Sequence, residues 1–289
     1  MITSGAFQIE CVIWLNIFIK FNFIINILNK NLDLKGKKVL LRVDLNVPMK
    51  NGAITETSRI EKILPTINLL LEKQAKIIII SHIGRPKGKV VDGMSLKPIS
   101  EKLSFLLNKK ITFNKNTIDE NILMNTDNIS NSSITMLENI RFNIGEELND
   151  KEFSRKISKL GDVYINDAFS CSHRKQASIH NITKYVKKKY AGPLLKKEIT
   201  AINLVIKNKK EPVTCIIGGS KISTKINVIT SLVRKVNNLI IVGAMANNFL
   251  IYKNVKIGKS LIEKNTKEII ENIYKKAEEH NCKILIPED

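Results

Sequence analysis

From Leu32 onward, short apolar runs alternate with longer stretches whose apolar positions recur at helical spacing. Val39-Leu40-Leu41, Ile77–Ile80, Ile134–Leu137, Val163–Ile165, Val213–Ile217, Leu239–Val242 and Lys283–Ile286 read as strands. Helices are predicted between them, at Ile60–Lys73, Leu96–Leu107, Lys151–Leu160, Pro193–Ile206 and Thr266–His280. In the first, Ile60, Ile63, Leu64, Ile67, Leu70 and Leu71 share a face despite Pro65. Pro98 sits near the first turn of the second, where a missing N–H is tolerated. Asn149-Asp150 is placed to cap the third. Strands and helices that alternate in this way specify an α/β fold with mostly parallel sheets. The Asn-rich stretch Asn114–Ser133 reads as loops.

Each apolar run empties into polar residues. Val39–Leu41 leads to Arg42, Asp44 and Asn46, and Ile77–Ile80 leads to Ser81-His82-Ile83-Gly84-Arg85-Pro86. Ile134–Leu137 precedes Glu138-Asn139-Ile140-Arg141, and Val163–Ile165 precedes Asn166-Asp167, with His173-Arg174 beyond. Cys215–Ile217 runs into Gly218-Gly219-Ser220-Lys221. In open α/β sheets, ligands bind outside the carboxyl ends of the strands. The residues released there are mostly cationic or Gly, so the expected ligand is an anion, with phosphate the first choice. Arg42, Asp44 and Asn46 share one face if the strand continues, with Val43, Leu45 and Val47 on the other. Such a row suits a hydroxylated anion: Arg forks a carboxylate or phosphate, while Asp and Asn hold hydroxyls. The alternative is an internal salt bridge with Asn capping a turn. Arg42, Arg59, Arg85, Arg141 and Arg174 all fall at strand or helix ends, and at least three are expected at one anion site.

Composition changes the picture in two places. The 289 residues carry 47 Lys and Arg against 27 Asp and Glu, a net charge of +20, which points to a polyanionic partner or to basic residues scattered over solvated faces. A nucleic-acid binder would show a basic stripe with stacking aromatics. At 6% aromatic, with Lys187–Lys189 and Lys207–Lys210 reading as solvated surface, the chain lacks that signature. Cys11, Cys171, Cys215 and Cys282 are scattered, which argues against a structural zinc site and a disulfide framework and fits a reducing cytosol. The second place is Ile9–Leu28, apolar but broken by Glu10, Asn16, Lys20, Asn22 and Asn26. It makes a poor membrane span and lacks a signal peptide's flanks. We read it as sequence upstream of the functional start, with an amphipathic extension and a membrane anchor as alternatives.

Arg42-Val-Asp-Leu-Asn-Val-Pro48, Ser81-His-Ile-Gly-Arg-Pro-Lys-Gly88, Leu137-Glu-Asn-Ile-Arg-Phe142, Asn166-Asp-Ala-Phe169 with His173-Arg174, Gly192-Pro-Leu-Leu195 and Gly218-Gly-Ser-Lys-Ile-Ser-Thr-Lys225 stand in one order along the chain. Together they resemble the phosphoglycerate kinase family from about Leu32 to the end. The resemblance implies two Rossmann-like lobes with mostly parallel sheets joined by a hinge helix. It divides the chain into an atypical extension (1–31), a phosphoglycerate-binding lobe (32–192), a connector (193–210) and a nucleotide-binding lobe (211–289) that is incomplete.

The implied reaction is glycolytic phosphoryl transfer between 1,3-bisphosphoglycerate with ADP and 3-phosphoglycerate with MgATP, in the cytoplasm. The implied protein is a monomer without nucleic-acid or membrane partners. By position, Asp44, Asn46, Arg59, His82, Arg85, Arg141 and Arg174 would hold phosphoglycerate, with Arg42 supporting them. Arg59 and Lys221 would act on the transferring group. Lys225 would reach the nucleotide phosphates, and Gly218, Gly219 and Gly243 would admit the nucleotide to the backbone. Mg2+ would come with the nucleotide. The resemblance further implies that the Mg2+ ligand and adenosine site lie in a segment these residues lack, so that turnover is impaired. Ser170-Cys171-Ser172 departs from a run that in the family more often contains Gly. The rival function is a non-catalytic binder of phosphorylated metabolites or nucleic acid.

Overall fold

The structure, a computed structural model, describes residues 26–29, 31–50, 52–115, 130–207 and 211–288, with 203–207 described by their backbone only. Two compact units form, Ile24–Ile199 and Thr200–Asp289.

The first unit is built on β1 (Lys38–Arg42), β4 (Lys76–Ile80), β5 (Ile111–Asn114), β6 (Ile134–Leu137), β7 (Val163–Asn166) and β8 (Lys188–Ala191). They pair in the order β5-β6-β4-β1-β7-β8, every ladder parallel. A small antiparallel hairpin, β2 (Met49–Lys50) with β3 (Ala53–Ile54), follows β1. The central strands are apolar on both faces because both faces are covered. Val39, Leu41, Ile77 and Ile79 pack in one cluster with Ile60, Ile63 and Ile67 of the helix Ser58–Glu72 and Ile99 of the helix Lys97–Leu107. Leu40, Ile78, Ile80 and Tyr164 pack on the other side with Phe153 and Ile157 of the helix Lys151–Ser158. Asp150 caps that helix, its carboxylate accepting the Phe153 N–H at 2.6 Å.

Three expectations change. β1 ends at Arg42, so Asp44 and Asn46 lie in the following loop and not in a strand. The alternation of burial persists, with Val43, Leu45 and Val47 buried, and Val43 N–H still donates to Ile80 O (3.1 Å), but beyond it two N–H groups go to side chains: Leu45 to Ser81 Oγ (3.0 Å) and Asn46 to the Asp44 carboxylate (3.0 Å). Lys188 and Lys189 are exposed, as read from the sequence, but they lie in β8, an edge strand that the pattern did not predict. Of the apolar N-terminal stretch only 26–28 is described, the rest lying outside the described residues. Leu28 donates to Ala191 O and Ala191 donates to Asn26 O, which extends the β8 edge, and the Leu28 side chain is buried in the core. Most of Asn114–Ser133 also falls outside the described residues.

The second unit has a parallel sheet ordered β11-β10-β9, from β9 (Thr214–Gly218), β10 (Asn238–Val242) and β11 (Lys283–Leu285). Ile217, Leu239 and Ile241 pack against Val228 and Ile229 of the helix Ile226–Val233, Met245 and Phe249 of Ala244–Tyr252, and Ile270 and Ile273 of Lys267–Glu279. On the opposite face Ile216, Ile240 and Leu285 lie side by side across the three strands, with Ile216 60% exposed and Leu285 36%. The predicted connector is the helix Pro193–Lys207, and the division between units falls within it. Asp167, just past β7, fixes its start by accepting the Leu195 N–H at 2.8 Å and the Thr66 hydroxyl at 2.5 Å. A Cβ on Gly192 would come within 2.4 Å of that carboxyl, so only glycine fits there.

Candidate functional site

The carboxyl ends of β1, β4 and β7 bring a cationic cluster together around His82. The ring is buried, and Arg42 is fully buried behind it. Arg42 donates from Nε to Ser178 Oγ (3.0 Å), from one terminal nitrogen to Val43 O, and from the other to His82 Nδ1 (3.1 Å). Arginine has donors only. Nδ1 must therefore accept, and the ring proton of neutral His82 sits on Nε2. Burial holds His82 well below the ordinary imidazole range, and the charges of Arg42, Arg141, Arg174 and Arg59 lower it further. Four guanidinium groups thus converge on one uncharged ring.

The other residues arrive by separate routes. Asp44 pairs with Arg59, outside its own row, and also accepts from Ser170 Oγ, while Arg42 turns to Ser178, Val43 and His82. Arg59 opens its helix with the side chain 41% exposed. Asn46 accepts the Gly84 N–H at 2.9 Å, which ties the loop after β1 to the loop after β4. Gly84 has φ +62° and a Cβ there would strike Met94 Sδ at 2.8 Å, so this turn requires glycine. Arg141, on a short 3-10 turn after β6, is buried and donates to Gly84 O at 2.6 Å. Burial, then the neighbouring Arg174, lowers its pKa. Its Nε has no hydrogen-bond partner and lies 3.9 Å from Glu147. Arg174 is half-buried, whereas Arg85 is exposed.

Sequence reasoning passed over Ser178 and Glu146 and gave Ser170 no role beyond its departure from the family's run. Ser170 stands in the polar loop after β7, and its only signal is position. Glu146 is fully buried and accepts from Ser178 through both its N–H (2.9 Å) and its hydroxyl (2.7 Å). A buried carboxyl with two donors behind an arginine is invisible to motif reading, because the partners are 32 residues apart.

Asp44, His82 and Cys171 place one ligand atom each within 4.8 Å of one another. They do not suit a metal. Nδ1 accepts from Arg42, Asp44 is held by Arg59 and Ser170, burial raises the Cys171 thiol, and four guanidinium charges repel a cation.

In the second unit, Gly218, Gly219 and Gly243 let two strand-to-helix turns approach. A Cβ on Gly218 would meet Val242 Cγ2 at 2.9 Å, and one on Gly243 (φ +69°) would lie 3.5 Å from Gly219 O. Met245 N–H donates to Gly219 O at 2.8 Å, which locks the turns together. Lys221 is exposed, while Lys225 is half-buried beside Gly219. Glu263 accepts the Ser223 N–H at 3.1 Å and the Ser223 hydroxyl. Those bonds, with Lys221 nearby, hold its carboxyl below the usual range. Glycine turns, lysines and the N-terminus of the helix Ala244–Tyr252 suit nucleotide phosphates. Among the described residues of this unit no cluster of three His, Cys, Asp or Glu ligands forms.

Fold and clusters together define a class: a parallel α/β protein of two units with guanidinium-rich and glycine-rich strand ends suited to small anions. Residues 29–289 match the family profile of phosphoglycerate kinase. The chain belongs to the phosphoglycerate kinase family. It is 46% identical over 260 residues to the phosphoglycerate kinase of Wolbachia sp. subsp. Drosophila simulans (strain wRi), covering 90% of this chain and 65% of that one. It is 43% identical over 257 residues to that of Chelativorans sp. (strain BNC1), covering 89% and 64%. The solved phosphoglycerate kinase of Coxiella burnetii superposes with a TM-score of 0.77 at 38% identity, over 89% of this chain and 64% of that one. That of Pyrococcus horikoshii OT3 gives 0.74 at 27% identity, over 90% and 67%. The chain spans about 65% of the length of the curated relatives it matches. No helix among the described residues is long and apolar enough to cross a membrane.

Proposed function

We propose that the unit Ile24–Ile199 binds 3-phosphoglycerate and 1,3-bisphosphoglycerate, and that the chain serves phosphoryl transfer between this pair and ADP/MgATP in cytoplasmic glycolysis. The observation that supports this reading is the convergence of Arg42, Arg59, Arg141 and Arg174 on an uncharged His82. In this reading His82, Arg85, Arg141 and Arg174 bind the anionic groups, Asp44 and Asn46 hold hydroxyls, and Arg42 supports His82 from behind. Arg59, the member of the converging group with an exposed side chain on a helix start, stabilises the transferring phosphoryl together with Lys221. Gly218, Gly219, Gly243 and Lys225 hold the nucleotide phosphates. MgATP supplies the phosphoryl group and metal-neutralised charge. The acceptor is a carboxylate, ionised near neutral pH, so positioning and charge stabilisation suffice and no general base is required. The protein acts as a monomer on small molecules, without nucleic-acid or membrane partners.

Titration calorimetry with 3-phosphoglycerate tests the reading directly. Binding is expected, and Arg141→Ala should weaken it at least about tenfold, the equivalent of about 1.4 kcal/mol for one charge-assisted contact. Absence of binding at millimolar ligand by a folded chain would overturn it. Where turnover is measurable, Arg59→Ala should lower it about a hundred- to a thousandfold.

A further inference from the structure

Behind the anion cluster lies a buried chain of hydrogen bonds that binding roles alone do not explain. Ser178 sits in a π-turn, Ala177–Asn181, a rare geometry that recurs at functional sites. The turn aims its hydroxyl inward between Glu146 and Arg42. Ser178 Oγ donates its only proton to Glu146 (2.7 Å) and so must accept from Arg42 Nε (3.0 Å). Tyr164, fully buried on β7, donates to Ser178 O at 2.6 Å and fixes the turn's backbone. Glu146, Ser178 and Arg42 are all fully buried, so no water competes for these bonds.

We propose that Ser178 and Glu146 are positioning residues of the anion site, clamping Arg42 so that it locks His82 in the Nε2–H tautomer. The clamp works through direction. With Nε bound to Ser178 and one terminal nitrogen to Val43 O, the guanidinium plane has one orientation, and its remaining edge meets Nδ1. A neutral imidazole in water populates both tautomers, and a misplaced proton would turn a donor toward Arg42 and an acceptor toward an anion. The proposal rests on the phosphoglycerate reading only for the identity of that anion.

The test uses the full chain, labelled with 15N-histidine. Long-range 1H–15N correlations separate its four histidines, and His82→Gln assigns the signal of interest. The wild type should show His82 solely as Nε2–H. Ser178→Ala should give a tautomer mixture in a protein that stays folded, and should weaken 3-phosphoglycerate binding about tenfold, the equivalent of about 1.4 kcal/mol. If Ser178→Ala fails to fold, Glu146→Gln, equal in size, must show the same loss of tautomer purity. A wild-type Nδ1–H signal, or an unchanged single tautomer in either folded variant, would overturn the clamp. The expected tautomer changes without any 3-phosphoglycerate binding would support the clamp and refute the substrate assignment.

Discussion

His82 is a base whose folded environment opposes its protonation, and this has a consequence for stability. Its pKa in the fold lies below the ordinary value of 6.5, because of burial first and the four arginines second. Below pH 6.5 the unfolded chain takes up a proton there that the folded chain refuses. Stability from this residue is therefore fully present above about pH 6.5 and falls as the solution is acidified. Between pH 7 and pH 5 the expected loss is about 2 kcal/mol. Urea titrations of the wild type and His82→Gln across that range check it: the wild type should lose more stability than the variant, and parallel curves would refute the buried neutral imidazole. Gly192 is a second residue whose identity is set by a neighbour, since the Asp167 carboxyl occupies the space of a Cβ. Motif reading singled out His82 and Gly192 by chain position. Their physical demands, a fixed tautomer and an empty volume, come from residues distant in sequence.

Among the elements, β9 shows how two adjacent isoleucines can differ. Ile217 is 1% exposed and packs against three helices, while Ile216 is 60% exposed on the other face. Ile217→Ala should cost about 2–5 kcal/mol through lost burial and an unfilled cavity. Ile216→Ala should stay within about 0.5 kcal/mol. Thermal unfolding followed by circular dichroism separates the two, and equal losses would show that this face is covered in solution. The strands of the apolar core were legible in the sequence because a strand buried on both faces needs an uninterrupted apolar run. The edge strands β5 and β8 were not, since an edge has polar positions that resemble loop. Arg42, Asp44 and Asn46 fit a strand by alternation, yet the strand stops at Arg42 because Asp44 and Ser81 take the N–H groups a neighbouring strand would need.

For the whole molecule, the proposed ligands belong to different units. 3-Phosphoglycerate should raise hydrogen-exchange protection within Ile24–Ile199, above all at the ends of β1, β4 and β6, and leave the core of β9–β11 unchanged. At a concentration a hundredfold above its dissociation constant, the stabilisation should be about 2.7 kcal/mol. Protection confined to β9–β11 would reverse the assignment of the units.

By itself the sequence determined the fold class, the order of the central strands and helices, and the residues that stand at strand ends. Period and punctuation are local properties, written within a few residues of where they act. The family was legible for the same reason, since each motif is a contiguous strand end. Tertiary structure decided what the strand ends do with one another. Glu146, Ser178 and Arg42 span more than a hundred residues, and nothing local to any of them signals the other two. The exposed face of β9 and the edge position of β8 likewise depend on which elements lie beside them. Hydrogen-bond partners and burial are set by proximity in space, which an apolar pattern along the chain constrains only by face.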